Sequence, residues 1–174
     1  VSSGNQVGTL DPGLSGSRTL SMAFSPDGST LAVGTGDPGY RRDNNTFVWE
    51  VASGRELLRF NIPVELVFGD IAFSLAFSPD GKTLASGSAD AIKLWDAASG
   101  NELLSWNASN LESLAFSPDG KTLVSASSIG DDSVKLWDAG TGDLLNTLKG
   151  DDVEGWNIIW SADSGTLAYY TANT

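Results

Sequence analysis

The chain has 174 residues, of which 40 % are hydrophobic and 18 % charged, a globular composition with room for one domain and its core. Its formal net charge is -12, from 22 acidic and 10 basic residues, which argues against nucleic-acid partners and anionic membrane surfaces, since both call for clustered Lys and Arg. There is no cysteine and no histidine, which excludes disulfides, thiolate catalysis, cysteine metal sites and histidine acid–base chemistry.

The acidity leaves basic proteins or cations as the partners that charge would favour, and its plainest consequence is a soluble, self-repelling surface. No apolar run is long enough to cross a bilayer, so no membrane insertion is expected. The first residues, VSSGNQVGTL, carry neither an initiator Met nor a signal-peptide pattern, so the chain reads as processed or as a piece of a longer one.

In chain order, SGNQVGTL reads as an outer strand within residues 1–10, because it matches SGRELLRF and SGNELLSW further on. A unit over about 19–60 follows. It runs through SMAFSPDG, Thr30-Leu31-Ala32-Val33, TFVWEVASG and Glu56-Leu57-Leu58. The unit over about 72–106 repeats it as SLAFSPDG, Thr83-Leu84-Ala85-Ser86, AIKLWDAASG and Glu102-Leu103-Leu104. The unit over about 112–148 does so again with SLAFSPDG, Thr122-Leu123-Val124-Ser125, SVKLWDAGTG and Asp143-Leu144-Leu145. A partial unit over 156–174 carries IIWSADSG and Thr166-Leu167-Ala168-Tyr169 and then stops.

Each unit reads as four strands, because its apolar residues come in alternation or in short blocks. In Ser-Pro-Asp-Gly, Pro presets φ at the first corner, Asp tolerates the second and Gly takes positive φ, which makes a compact hairpin. One such sheet cannot bury both faces. Stacking the sheets face to face buries a continuous core, which is the logic of a β-propeller. The expected fold is therefore all-β: four-stranded antiparallel blades, three complete, with partial blades at both ends. Leu75, Phe77, Leu84, Ile92, Leu94 and Trp95 are the expected core of one blade. Leu114, Phe116, Leu123, Val134, Leu136 and Trp137 are that of the next.

At AFSPDGKTLASGSAD with IKLWD, and AFSPDGKTLVSAS with VKLWD, the sequence resembles the WD-repeat family, in a style similar to its bacterial members. The resemblance covers nearly the whole chain. It implies a structural Asp in the turn before the third strand, at Asp90 and Asp132, with Asn44 in its place in the first unit. In the family a His bonds this Asp and continues to Ser and Trp. This chain has no His, so that network is lost in its usual form, and Asp90 and Asp132 are expected to bond amides of their own turns. Gly150-Asp151 reads as a remnant of the family's Gly-His pair.

No catalytic constellation is present: GxSxG, HExxH and a phosphate loop with Lys are all missing, and neither a metal nor a cofactor is expected. Asp131-Asp132 and Asp151-Asp152 with Glu154 match no calcium-loop spacing and read as solvated turn carboxylates. Two loops exceed what the repeat needs. TGDPGYRRDNN, residues 35–45, holds Tyr40 and the adjacent pair Arg41 and Arg42. NIPVELVFGDIAF, residues 61–73, is apolar and holds Phe68. Tyr40, Arg41, Arg42 and Phe68 are the candidate partner-binding anchors, since Tyr and Arg are favoured at interfaces and an apolar loop seeks cover.

The expected function is a non-catalytic scaffold that binds protein partners through loops on one face. The alternatives are a structural subunit completed by other chains, and the propeller portion of a larger ligand-binding or enzymatic protein. Residues beyond this chain, or other chains, would complete the ring; the first is favoured because both ends break inside a blade. The sequence is compatible with a cytoplasmic or an exported protein.

Overall fold

Hairpin turns at regular spacing dictate a chain of short antiparallel sheets. The computed structural model describes residues 9–10, 18–36, 45–61, 74–88, 90–108, 111–127, 133–149 and 158–169. The first sheet is β1 (Arg18–Phe24), β2 (Thr30–Gly36), β3 (Asn45–Glu50) and β4 (Arg55–Asn61). The second is β5 (Ser74–Phe77), β6 (Thr83–Gly87), β7 (Ala91–Asp96) and β8 (Glu102–Asn107). The third is β9 (Leu111–Phe116), β10 (Thr122–Ser127), β11 (Ser133–Asp138) and β12 (Leu144–Lys149), and β13 (Ile158–Trp160) with β14 (Leu167–Tyr169) forms a two-stranded sheet. In every sheet the spatial order follows the chain order and all pairings are antiparallel. The expected all-β architecture of four-stranded blades, incomplete as a propeller, is what the structure shows.

The glycine of each first hairpin lies in the left-handed region, with φ of 70° at Gly28, 71° at Gly81 and 72° at Gly120. The fourth hairpin departs from this. There Ser164, with φ 59°, takes the position, and Gly165 follows it in the turn. The third and fourth strands carry a second recurring feature, a bulge at the tryptophan, between Val48 and Trp49, Leu94 and Trp95, and Leu136 and Trp137. Trp49 therefore pairs with Glu56, Trp95 with Glu102 and Trp137 with Leu144. Leu144-Leu145, not Asp143-Leu144, stands where Glu56-Leu57 stands in the first blade, because Leu144 lies seven residues after Trp137 as Glu56 lies seven after Trp49.

Blades stack through three apolar clusters. Ala32 and Val48 of the first blade meet Leu75, Leu84 and Trp95 of the second. Ala85 and Leu94 of the second meet Leu114, Leu123 and Trp137 of the third. Val124, Ala126 and Val134 of the third meet Ile158 of β13. Phe77, Phe116 and Leu136, expected in the core, are only half-buried and pack at the margins of these clusters. Serine hydroxyls of the innermost strands add polar links between blades. Ser21 Oγ accepts the Leu75 N–H and Ser74 Oγ accepts the Leu114 N–H, each at 3.0 Å.

Where a stacked neighbour is missing among the described residues, the same positions open to solvent. Met22 is 64 % exposed, whereas Leu75 and Leu114, its equivalents in the next two blades, are each 6 % exposed. At the other end Ile159 is 68 % exposed. Leu10 lies beside the Gly54 turn, its Cδ2 3.6 Å from where a Cβ would stand, as Phe60 lies beside Gly100 and Trp106 beside Gly142.

Candidate interaction surface

The hairpin end of the stack is the best-described surface. Each first hairpin builds the same polar knot. Ser25 donates its hydroxyl to Asp27 Oδ1 at 2.6 Å and accepts the Thr30 N–H at 3.0 Å. Ser78 with Asp80, Ser117 with Asp119 and Ser161 with Asp163 repeat it at 2.6, 2.7 and 2.6 Å. A hydroxyl and an amide aimed at a carboxylate stabilise its charged form. The Ser25 hydroxyl, then the Ser29 amide, lower Asp27 to about 2. Asp80, Asp119 and Asp163 are lowered in the same way, first by Ser78, Ser117 and Ser161. In the second hairpin of the middle blade, Ser99 lowers Asp96.

These carboxylates rim grooves between adjacent blades. The groove between the first and second blades has a volume of about 850 Å3. It is lined by the apolar Pro26, Leu57, Leu58, Pro79 and Ala97 and by the charged Asp27, Asp80, Asp96 and Lys82. The corresponding groove between the second and third blades measures about 450 Å3 and is lined by Pro79, Asp80, Phe116 and Asp119 among others. Sequence reasoning passed over this end because its Asp residues were assigned to turns. The signal available was the Ser-x-Asp spacing, repeated four times.

Inside the blades, the Trp95 indole N–H donates to Ser86 Oγ and that of Trp137 to Ser125 Oγ, both at 2.8 Å and buried. The first blade has Val33 at the position of Ser86, so Trp49 has no such acceptor there.

The candidate anchors Tyr40, Arg41, Arg42 and Phe68 lie outside the described residues, as do Asp132, Asp131, Asp151, Asp152 and Glu154. Asp90 is described and exposed. At its turn, Ser88 Oγ accepts the amides of Asp90 and Ala91 at 3.4 and 3.2 Å, and the Asp90 carbonyl accepts the Ala108 N–H at 3.0 Å. A serine thus serves the amides of this turn. Among the described residues no group of three or more Asp and Glu is arranged to hold a metal ion.

Residues 4–50, 69–96 and 101–138 match the family described as WD domain, G-beta repeat, more than half of the chain. This chain belongs to the WD-repeat family.

Over 84 residues it is 34 % identical to the small ribosomal subunit protein RACK1z of Oryza sativa subsp. japonica, covering 48 % of this chain and 22 % of that protein. Among solved structures it is similar to Kuenenia stuttgartiensis hydrazine synthase, with a TM-score of 0.72 and 22 % identity over 95 % of this chain and 44 % of that one. It is also similar to U3-55K, with a TM-score of 0.61 and 27 % identity over 77 % of this chain and 42 % of that one. A chain of a mitotic checkpoint complex matches with a TM-score of 0.71 and 20 % identity over 88 % of this chain and 46 % of that one. The chain spans less than half the length of these relatives. In WD-repeat terms, the Trp–Ser half of the polar network survives in the second and third blades although no histidine is present to extend it.

Proposed function

We propose that this chain is a non-catalytic scaffold that captures protein partners through the loops at the end opposite the hairpins. WD-repeat domains generally mediate protein–protein interaction. One observation carries the reading further. Thr35 pairs with Asn45 and Asn45 with Asn61, so the chain leaves for both of its long segments, 37–44 and 62–73, from adjacent strand ends. A stack held by buried clusters gives such loops a firm base, and affinity then rests on a few anchors. Tyr40, Arg41, Arg42 and Phe68 are those anchors. Replacing Arg41 and Arg42 together by Ala is expected to weaken capture of the partner without changing the thermal midpoint. Unchanged capture removes this loop from the proposal.

The exposed Met22, Phe24 and Ile159 favour a second reading, in which further blades, from a longer chain or from other subunits, cover both ends. On that reading the chain is a structural part of a larger assembly. The fold alone does not decide between scaffold and enzyme, since a chain named hydrazine synthase shares it. The lack of His and Cys in the whole sequence supports the scaffold.

A further inference from the structure

The groove between the first two blades lies at the hairpin end, away from the loops just discussed. It differs from the next groove in two respects: it is larger, about 850 against about 450 Å3, and two outer-strand leucines, Leu57 and Leu58, line it. Leu57 is 36 % exposed, while Leu58 is partly buried against the cluster between the two blades, so Leu57 is the more accessible of the pair. Pro26 and Pro79 line the same groove and add rigid apolar surface to it. The rim is acidic, with Asp27, Asp80 and Asp96 against the single cation Lys82, an excess of two negative charges. The chain as a whole carries -12, so its field draws cations toward this rim.

We propose that this groove binds a basic peptide segment of a partner, one bulky apolar side chain seated on Leu57 between the two prolines, flanked by Lys or Arg against the Asp rim. An apolar floor supplies affinity, and rim charge supplies sign selection and speed of encounter. An acidic peptide is repelled by the same rim. A basic peptide without the apolar residue gains only the salt-screened part.

The test is fluorescence anisotropy on the full chain at physiological ionic strength, with a labelled synthetic peptide that has one leucine flanked on both sides by arginines. Saturable binding is expected, with the Leu57→Ser chain weaker by about tenfold or more. Leu103→Ser alters the equivalent exposed leucine of the second blade and is expected to leave affinity unchanged. Leu57 is 36 % and Leu103 55 % exposed, and a thermal midpoint measured for each variant separates loss of binding from loss of fold. The proposal is overturned by absence of saturable binding, by equal loss in the two variants, or by a serine-for-leucine peptide that binds as tightly as the original.

Discussion

Replacing Ser86 by Ala isolates the polar staple of the middle blade. Ser86 Oγ accepts the Trp95 indole N–H at 2.8 Å, and both residues are buried. The substitution removes the acceptor while leaving the donor out of reach of water. An orphaned buried donor costs about 1–3 kcal/mol, more than the ~1 kcal/mol net value of an ordinary hydrogen bond. Urea unfolding followed by tryptophan fluorescence measures the loss as a lower midpoint at unchanged slope. A cycle with Trp95→Phe separates orphaning from packing, because the double variant lacks both partners. Its cost should fall short of the sum of the two single changes by ~1 kcal/mol. A Ser86→Ala loss under ~0.5 kcal/mol, or strict additivity in the cycle, would refute the staple as a stabilising element.

The remaining expectations concern packing, turns and pH. Leu84→Ala empties a fully buried position between the first two blades and should cost about 2–5 kcal/mol by denaturant titration; a loss below ~1 kcal/mol would mean that this interface is not tightly packed. Gly81→Ala places a side chain at φ 71° with only ordinary contact to Pro26, at 3.5 Å, and should cost about 1–2 kcal/mol. Gly142→Ala adds a Cβ 2.9 Å from Trp106 to a similar strain at φ 78°, so its thermal midpoint should fall further than that of Gly81→Ala. Asp27, Asp80, Asp119 and Asp163 have lowered folded-state values, so their contribution is complete above the unfolded carboxylate range and is lost as pH falls through the folded values, about 2 for Asp27. Thermal midpoints should therefore decline from pH 5 to pH 2.5, and Asp27→Asn should flatten that decline; a midpoint independent of pH across this window would contradict the assignment.

Much of the fold was legible because it rests on local chemistry that the sequence repeats. Ser-Pro-Asp-Gly makes the same hairpin three times, since Pro, Asp and Gly each meet a backbone need that no neighbour has to supply. The tryptophan positions were legible too, but the bulge at each was not; the third blade's outer strand follows the spacing from its tryptophan, seven residues from Trp137 to Leu144 as from Trp49 to Glu56, and not the Asp-Leu-Leu motif. Bulges are settled by cross-strand fit, which a single strand does not encode. Ser164 is a different case: it stands where Gly28, Gly81 and Gly120 stand, in a hairpin of the same length, so the turn keeps its left-handed residue although no glycine is there. Phe47 was unreadable for another reason. It replaces the lysine found at Lys93, and burial is possible because Arg59 stacks on its ring at 4.6 Å, while Lys93 pairs with Glu102 at 2.6 Å. The interblade groove is built from the hairpins of two blades and from β4, segments distant in sequence, so no motif could announce it. The loop anchors were legible only as composition, from an adjacent Arg pair and an apolar run.

Hydrogen–deuterium exchange of the chain, free and saturated with a captured partner, tests the scaffold account most directly. Slower exchange is expected in segments 37–44 and 62–73 and at the adjoining strand ends Thr35, Asn45 and Asn61. Unchanged exchange in both segments, with the partner bound, would contradict it.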